Sequence, residues 1–327
     1  MEEKLLALLV VFLLICGCGG EAPLEAGSGG GQAGGTGGGG GHLTISGGTN
    51  VTIAGGEKPP AETRPAIEYR EDANANLYIY FINVGDGDTQ GDAILVKKGD
   101  FDMLVDGGPE SKKQTVVNFL LEKQVDDLEV VVSTHDDPDH YGGLRYVGEK
   151  FRIGDIWRGE EGSAEYDYCI NSIRKEGQVR YMGKGDERAY SAMRIVVENP
   201  IKGDKRFHDA DNDGIVLRLE DRGFCALLTG DIDGSAQTTI LMDAEPCEVV
   251  QMPWHGMSEG LSHLDFLFDK LKPKAVIISG SANDWTNSRQ TLYLKAELRK
   301  IPVYANYEGK DAKVVYNGND FAISIEH

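Results

Sequence analysis

The stretch Thr134-His135-Asp136-Asp137-Pro138-Asp139-His140-Tyr141-Gly142-Gly143 constrains this chain more than any other. It follows Leu128-Glu129-Val130-Val131-Val132-Ser133, a β-branched run that reads as a buried strand. Two histidines and three aspartates then fall within six residues, where a sheet would end and offer side chains to solvent. Imidazole and carboxylate groups at that density can hold two divalent metals. The Gly142-Gly143 pair predicts a tight turn into the next helix, with backbone close to whatever the metals hold. The plain alternative is an Asp/Pro turn with two surface histidines; the spacing, set directly after a strand, favours ligands.

The pattern His-x-Asp-x-Asp-His-x-Gly-Gly resembles the signature of the metallo-β-lactamase superfamily, whose usual form is His-x-His-x-Asp-His. An aspartate at the second ligand position, with Gly-Gly after the last histidine, is similar to the branch found in the soluble domain of ComEC-type DNA-uptake competence proteins. The resemblance runs over about residues 77–325. It includes Val84-Gly85 and Gln90-Gly91-Asp92-Ala93, with the acidic turn Asp86-Gly87-Asp88-Thr89 inserted between them, and Asp106-Gly107-Gly108 after a strand. Further along come Thr229-Gly230-Asp231 and Ser279-Gly280-Ser281-Ala282-Asn283. The fold this implies is α/β, a metallo-β-lactamase-type αβ/βα four-layer sandwich. Alternating strands and helices in two similar runs suit such a layering.

Carried over residue by residue, the resemblance puts His135 and Asp137 at a first metal, and Asp139, His140 and His255 at a second. Asp231 falls on the carboxylate that bridges them, and Asp106 on the strand-end aspartate that orients the loop through hydrogen bonds. Asp139 and Asp231 are then the catalytic carboxylates. The implied cofactors are two divalent ions: zinc by the superfamily's habit, manganese by the oxygen-rich first site. Two departures stand out. The superfamily's third first-metal histidine, expected just before Ile215, is absent; His208, or Asp213 in Asp211-Asn212-Asp213-Gly214, is the candidate in its stead. The branch's His-His-Gly-Ser run is Trp254-His255-Gly256-Met257 here, so one histidine survives and its polar neighbours do not.

The N-terminus reads differently. An apolar stretch over 5–15 ends in Ile15-Cys16-Gly17-Cys18, which resembles a bacterial lipobox with Cys18 as the lipidated residue. The expected organisation is a lipoprotein-type signal peptide at 1–18, a Gly-rich flexible linker at 19–75, and a metallo-β-lactamase-like domain at 76–327. That places the domain outside the cytoplasm, lipid-anchored to the membrane or, alternatively, secreted. The net charge is −20, and residues 76–327 carry 44 acidic against 29 basic side chains. A protein that grips duplex DNA without sequence preference usually carries the opposite sign. Cys169, Cys225 and Cys247 show no CxxC spacing, which excludes a zinc-thiolate site but leaves one disulfide open. Cys225, in an apolar run, reads as a buried small hydrophobe.

Local patterns predict a helix over 111–123, capped by Ser111, with Val116, Val117, Leu120 and Leu121 on one face. Others are predicted near 144–149, 166–175, 264–271 and 289–299, and a closing hairpin turns at Asn317-Gly318. The functional expectation is a membrane-tethered metal-dependent hydrolase. It would cleave a small-molecule or nucleic-acid phosphodiester with a water held between the metals, as a nuclease or phosphodiesterase. The alternatives are an ester, lactone or β-lactam hydrolase, and a non-catalytic binding module with a degenerate metal site. No protein partner is expected.

Overall fold

A computed structural model describes residues 67–160, 162–204, 207, 209–284 and 287–327. The signal peptide, Cys18, most of the linker and His208 lie outside the described residues. The first half begins with β1 (Leu77–Phe81), β2 (Ile94–Lys98) and β3 (Phe101–Val105), then helix α1 (Lys113–Glu122) and β4 (Asp127–Ser133). Next come α2 (Pro138–Tyr141), α3 (Leu144–Lys150), β5 (Arg152–Arg158), α4 (Ala164–Ser172) and β6 (Val179–Tyr181). The second half holds β7 (Glu187–Tyr190), β8 (Met193–Asn199), β9 (Val216–Asp221), β10 (Phe224–Leu228), α5 (Gly234–Ile240) and β11 (Val249–Gln251). It continues through α6 (Ser258–Leu261), α7 (Leu264–Leu271), β12 (Ala275–Ile278), α8 (Ser288–Leu298) and β13 (Val303–Ala305). The hairpin β14 (Asp311–Tyr316) and β15 (Phe321–Glu326) crosses back to the first sheet.

Among the described residues the strands form two sheets, β15-β14-β1-β2-β3-β4-β5-β6 and β13-β12-β11-β10-β9-β8-β7. One core lies between the sheets, with Val130, Val132 and Trp157 from the first meeting Ile195, Leu217 and Ala226 from the second. The outer faces are covered by α1, α3 and α4 on one side and by α5, α7 and α8 on the other. This is the expected αβ/βα four-layer sandwich. Central strands are covered on both faces, so their sequences are apolar throughout: Val130, Val131 and Val132 are all fully buried. Helix α7 shows why the flanking helices form. Leu264, Leu267, Phe268 and Leu271 fall at i, i+3, i+4 and i+7 and are all buried, each contributing roughly 1.5–3 kcal/mol.

Three local readings differ from the structure. Ser111 does not cap α1; it sits inside a 3-10 turn, Glu110–Lys112, whose entry is fixed by Pro109, and no side chain caps the helix. Leu121 is exposed, because Phe119 joins Val116, Val117 and Leu120 on the buried face. Ordered packing also begins before residue 76: the Tyr69 ring lies 5.6 Å from that of Phe101 and 5.8 Å from that of Tyr190. Cys225, read above as a buried small hydrophobe, is instead half of a disulfide with Cys247 across the start of β10 and β11, while Cys169 is free.

Three buried ionisable side chains, Lys98, Asp221 and Glu129, bear on stability. Lys98 Nζ lies 2.9 Å from both oxygens of Asp221, and both side chains are fully buried, so the pair ties β2 of one sheet to β9 of the other. Breaking a buried pair by removing one partner costs about 3–5 kcal/mol, because the other charge is stranded. Asp221 also accepts from Arg222 Nη2 at 3.0 Å, so the charge that can be stranded is Lys98, and Asp221→Leu is expected to lower unfolding stability by that amount, measured by urea denaturation. Lys98→Met with Asp221→Leu should recover most of the loss.

Glu129 accepts from the backbone N–H of Asp102 at 2.7 Å, and burial pushes its carboxyl up to about 7. An acid whose folded value exceeds its unfolded one contributes least at high pH, since the unfolded chain ionises first. Stability should thus decline as pH rises from about 4.5 to about 7 and then level off. Glu129→Gln, which keeps an acceptor and removes the charge, should make that decline shallower in denaturation series at stepped pH.

Candidate metal centre

The site is built where the C-terminal ends of β3, β4, β10, β11 and β12 meet. Asp106 follows β3 and adopts φ 58°, a left-handed conformation that swings its carboxylate under the loop after β4. There it accepts from Thr134 N–H at 2.8 Å, from the Thr134 hydroxyl at 2.6 Å and from His140 Nδ1 at 3.0 Å. The Thr134 hydroxyl, committed to Asp106 as donor, serves as acceptor for His135 Nδ1–H at 2.9 Å. One buried carboxylate therefore fixes the tautomer of two histidines and leaves both Nε2 atoms as lone-pair donors. These are the contacts that an orienting carboxylate at 106 would make.

The glycines do a different job from the one expected. A Cβ on Gly143 would lie 2.1 Å from the Gly107 carbonyl oxygen, and one on Gly107 would lie 2.7 Å from Leu144 N. The pairs 107–108 and 142–143 pack backbone on backbone, with Gly107 N–H donating to His140 O at 2.7 Å and Gly143 N–H to Gly108 O at 2.9 Å. The close approach that glycine permits is thus between two turns of the protein itself, and it sets the distance between Asp106 and His140.

On the second half, Asp231 ends the loop after β10 and His255 the turn after β11. His140 Nε2 is 3.3 Å and His255 Nε2 is 3.1 Å from Asp231 Oδ2, and Asp139 Oδ2 lies 3.9 Å from His255 Nε2. His135 Nε2 stands 3.5 Å from Asp211 Oδ1 and 3.9 Å from Asp137 Oδ2. Four groups of three result, each with its ligand atoms within 4.8 Å of one another: His135, His140 and Asp231; Asp139, His140 and His255; Asp92, Asp231 and His255; His135, Asp137 and Asp211. All six residues expected as ligands are brought together. Asp213 stands outside these groups and Asp211 stands beside His135 in its stead, while His208 lies outside the described residues. The reason is local: Asn199 Nδ2 holds the carbonyls of Asn212 and Gly214 at 2.9 and 2.7 Å. That bracing fixes the segment with Asp211 beside His135.

Asp92 and Asp211 were not singled out in the sequence. Asp92 is buried, accepts from Gln251 Nε2 at 2.5 Å, and has its other oxygen 3.8 Å from His255 Nδ1. His255 Nδ1 itself donates to the Ser279 carbonyl at 3.2 Å, which again frees Nε2. Trp254, His255 and Gly256 all take positive φ, 49°, 51° and 69°, so the ligand sits on a turn that two L-residues enter at a cost of order 1–2 kcal/mol each.

The chemistry of the donor set fits divalent cations. Nε2 of His135, His140 and His255 and Oδ1 of Asp231 are buried without a hydrogen-bond partner, an expensive arrangement unless something binds there. Burial and the neighbouring His140 hold His135 down to about 4, so it is neutral. Burial opposes a proton on His140 and His255, but Asp231 outweighs it, raising His140 well above its ordinary value and His255 to about 9. Burial would lift Asp231, yet His255 and His140 hold it well below the usual carboxylate range. Burial, with carboxylate neighbours, raises Asp137 to about 6 and Asp211 to about 7. Such a concentration of opposed charges is what a cation would relieve, with protons released on binding.

The comparisons with known proteins agree with this geometry. Residues 86–219 match the model of the Metallo-beta-lactamase superfamily. A segment of the ComE operon protein 3 of Bacillus subtilis is 25% identical over 178 residues, 53% of this chain and 22% of that protein. The chain thus spans less than a quarter of that relative's length. Among solved structures, the metallo-beta-lactamase fold protein YhfI from Bacillus subtilis aligns with TM-score 0.51 and 14% identity over 72% of this chain and 98% of that one. A variant of the CmlA beta-hydroxylase aligns with TM-score 0.51 and 10% identity over 72% and 53%. At these identities the structures show the fold alone: the metallo-β-lactamase fold.

Asp211→Asn should weaken divalent-cation binding roughly 10–100-fold, as loss of a ligand or its close support does, while Asp213→Asn leaves it unchanged. Elemental analysis after dialysis against stepped chelator distinguishes the two.

Proposed function

We propose that this metallo-β-lactamase-type domain is an extracytoplasmic, membrane-tethered metal-dependent hydrolase that cleaves phosphodiester bonds. The observation that carries the hydrolase reading is the convergence of three unpartnered imidazole Nε2 atoms and the Asp231 carboxylate in one buried site. His135, Asp137 and Asp211 would hold one cation, and Asp139, His140 and His255 the other, with Asp231 between them. Two divalent ions so held would bring a water to neutral acidity and polarise a substrate oxygen. The protein's own groups do the rest. Asp106 keeps His140 and, through Thr134, His135 in the ligating tautomer. Asp139, 30% exposed beside His255, and Asp137, 46% exposed beside His135, are the carboxylates open to substrate, and Asp139 would be the one to exchange a proton with a leaving group.

Support for a phosphodiester comes from the segment shared with the competence protein and from the donor set. Asp137 and Asp211 make the first site oxygen-rich, which favours manganese over zinc and suits phosphoryl oxygens. The net charge of −20 argues for a short or single-stranded substrate rather than a duplex. It also favours the second reading, a neutral ester, lactone or β-lactam, which needs no polyanion groove. The Cys225–Cys247 bridge suits an oxidising compartment, and the lipobox at Cys18 supplies the tether. Among the described residues no helix is long and apolar enough to cross a membrane.

The test is a substrate panel on the manganese- or zinc-loaded protein: bis-p-nitrophenyl phosphate, a short single-stranded DNA, a p-nitrophenyl ester and a cephalosporin. Phosphodiester turnover is expected, falling at least about 100-fold in Asp139→Ala. Turnover of the ester or cephalosporin alone would select the second reading. Two bound metals with no turnover of any substrate would leave a binding module.

A further inference from the structure

Arg289, at the start of α8, is 4% exposed, and its guanidinium donates to backbone carbonyls. Nη2 and Nε reach the carbonyl oxygen of His255 at 2.7 and 3.2 Å. Nη1 reaches Ser281 O at 2.7 Å and Asn283 O at 3.5 Å. The ring of Tyr307 lies 5.0 Å from the guanidinium carbon, and the Arg289 backbone N–H is anchored by Asp284 Oδ2 at 2.6 Å. A guanidinium buried against neutral carbonyls is costly, so its place needs a compensating use.

That use is visible one residue away. The His255 carbonyl is aimed inward only because Trp254 and His255 are left-handed, and the ring of the same residue is held by Ser279 O. Gly280 closes against the ring: a Cβ there would lie 3.3 Å from both Cβ and Nδ1 of His255. Arg289 thus grips at once the backbone of His255 and, through Ser281, the loop that orients its imidazole. We infer that Arg289 is a positioning residue for His255, locking the strained 254–256 turn and the 279–283 loop into one unit so that Nε2 points at the second cation position beside Asp139 and Asp231. It serves this half of the site as Asp106 serves the other. The planar fork matters: a lysine offers one point charge and cannot bridge His255 and Ser281 in that geometry. The inference rests on the reading of the cluster as a two-cation centre, and not on the choice of substrate.

The experiment titrates manganese into metal-stripped full-length protein, following free Mn2+ by electron paramagnetic resonance, for the wild type, Arg289→Lys and Arg289→Met. The wild type binding fewer than two equivalents would sink the two-cation centre itself, separately from the role of Arg289. With two bound, both variants are expected to keep the first equivalent within about 2-fold and to weaken the second by roughly 10–100-fold, Met more than Lys. In a further variant, Arg289→Ala, which leaves room for the ion, millimolar guanidinium should restore part of the second equivalent. A merely structural role would lower the melting temperature and both affinities together, with no rescue. Arg289→Lys, folded by circular dichroism and binding both equivalents at wild-type affinity, would overturn the proposal.

Discussion

The carboxylate of Asp106 is the contact on which the rest of the site depends. It is fully buried and accepts three hydrogen bonds, two from Thr134 and one from His140. Its reach passes through the Thr134 hydroxyl to His135, so a single residue at the end of β3 sets the orientation of two imidazoles on the loop after β4. The neighbouring strands are parallel there, Val105 beside Val132, and Asp106 N–H donates to Val132 O at 2.8 Å. Everything that keeps β3 and β4 in register therefore also keeps the ligands in place. The interlocked glycine pairs are the steric half of the same arrangement, because any side chain at 107 or 143 would force the two turns apart.

The electrostatics follow from that geometry. The buried Asp92 and Asp231, the partly buried Asp211 and the half-exposed Asp137 crowd against three buried histidines. The histidines separate into two kinds. His135, buried and beside His140, is held neutral, while His140 and His255, buried but each facing Asp231, are driven toward the charged form. This asymmetry mirrors the two candidate cation positions. One is oxygen-rich, with Asp137 and Asp211 around a single imidazole; the other has two imidazoles around Asp139. A harder ion suits the first and a borderline ion the second.

Much of this was legible in the sequence, and what was missed has physical reasons. His135, Asp137, Asp139 and His140 sit in one loop after an unmistakable strand, so their proximity is nearly guaranteed by chain connectivity. Asp231 and His255, each just beyond a buried strand but far along the chain, were reached through the family resemblance, which carries them to the same edge. Asp211 was passed over for Asp213 because an irregular segment has no period, and the choice is made by Asn199, a residue far from it in the pattern. Asp92 acts across the two halves through Gln251, and Arg289 reaches back 34 residues to the His255 carbonyl, and no local spacing announces either. Strand β7, Glu187-Arg188-Ala189-Tyr190, is an exposed edge without an apolar face, so it carries no periodic signal. Ser111 looked like a cap because the residue type is right, but Pro109 had already fixed the entry one turn earlier.

Strain distinguishes the functional edge from the scaffold. Asp106, Trp254 and His255 are L-residues in left-handed conformations, and all three lie at the turns that carry or orient ligands. Other left-handed L-residues, such as Gln124, Arg222 and Lys272, close ordinary turns at helix or strand ends. Conformations of this kind persist only where the surroundings over-determine them. Here the surroundings are identifiable: three hydrogen bonds on the Asp106 carboxylate, and a buried guanidinium with a carbonyl and a glycine around His255. The two halves have thus reached the same solution with different chemistry, an anion behind one histidine and a cation behind the other. Because each brace grips backbone as well as side chain, neither imidazole can turn away without unpacking its own loop.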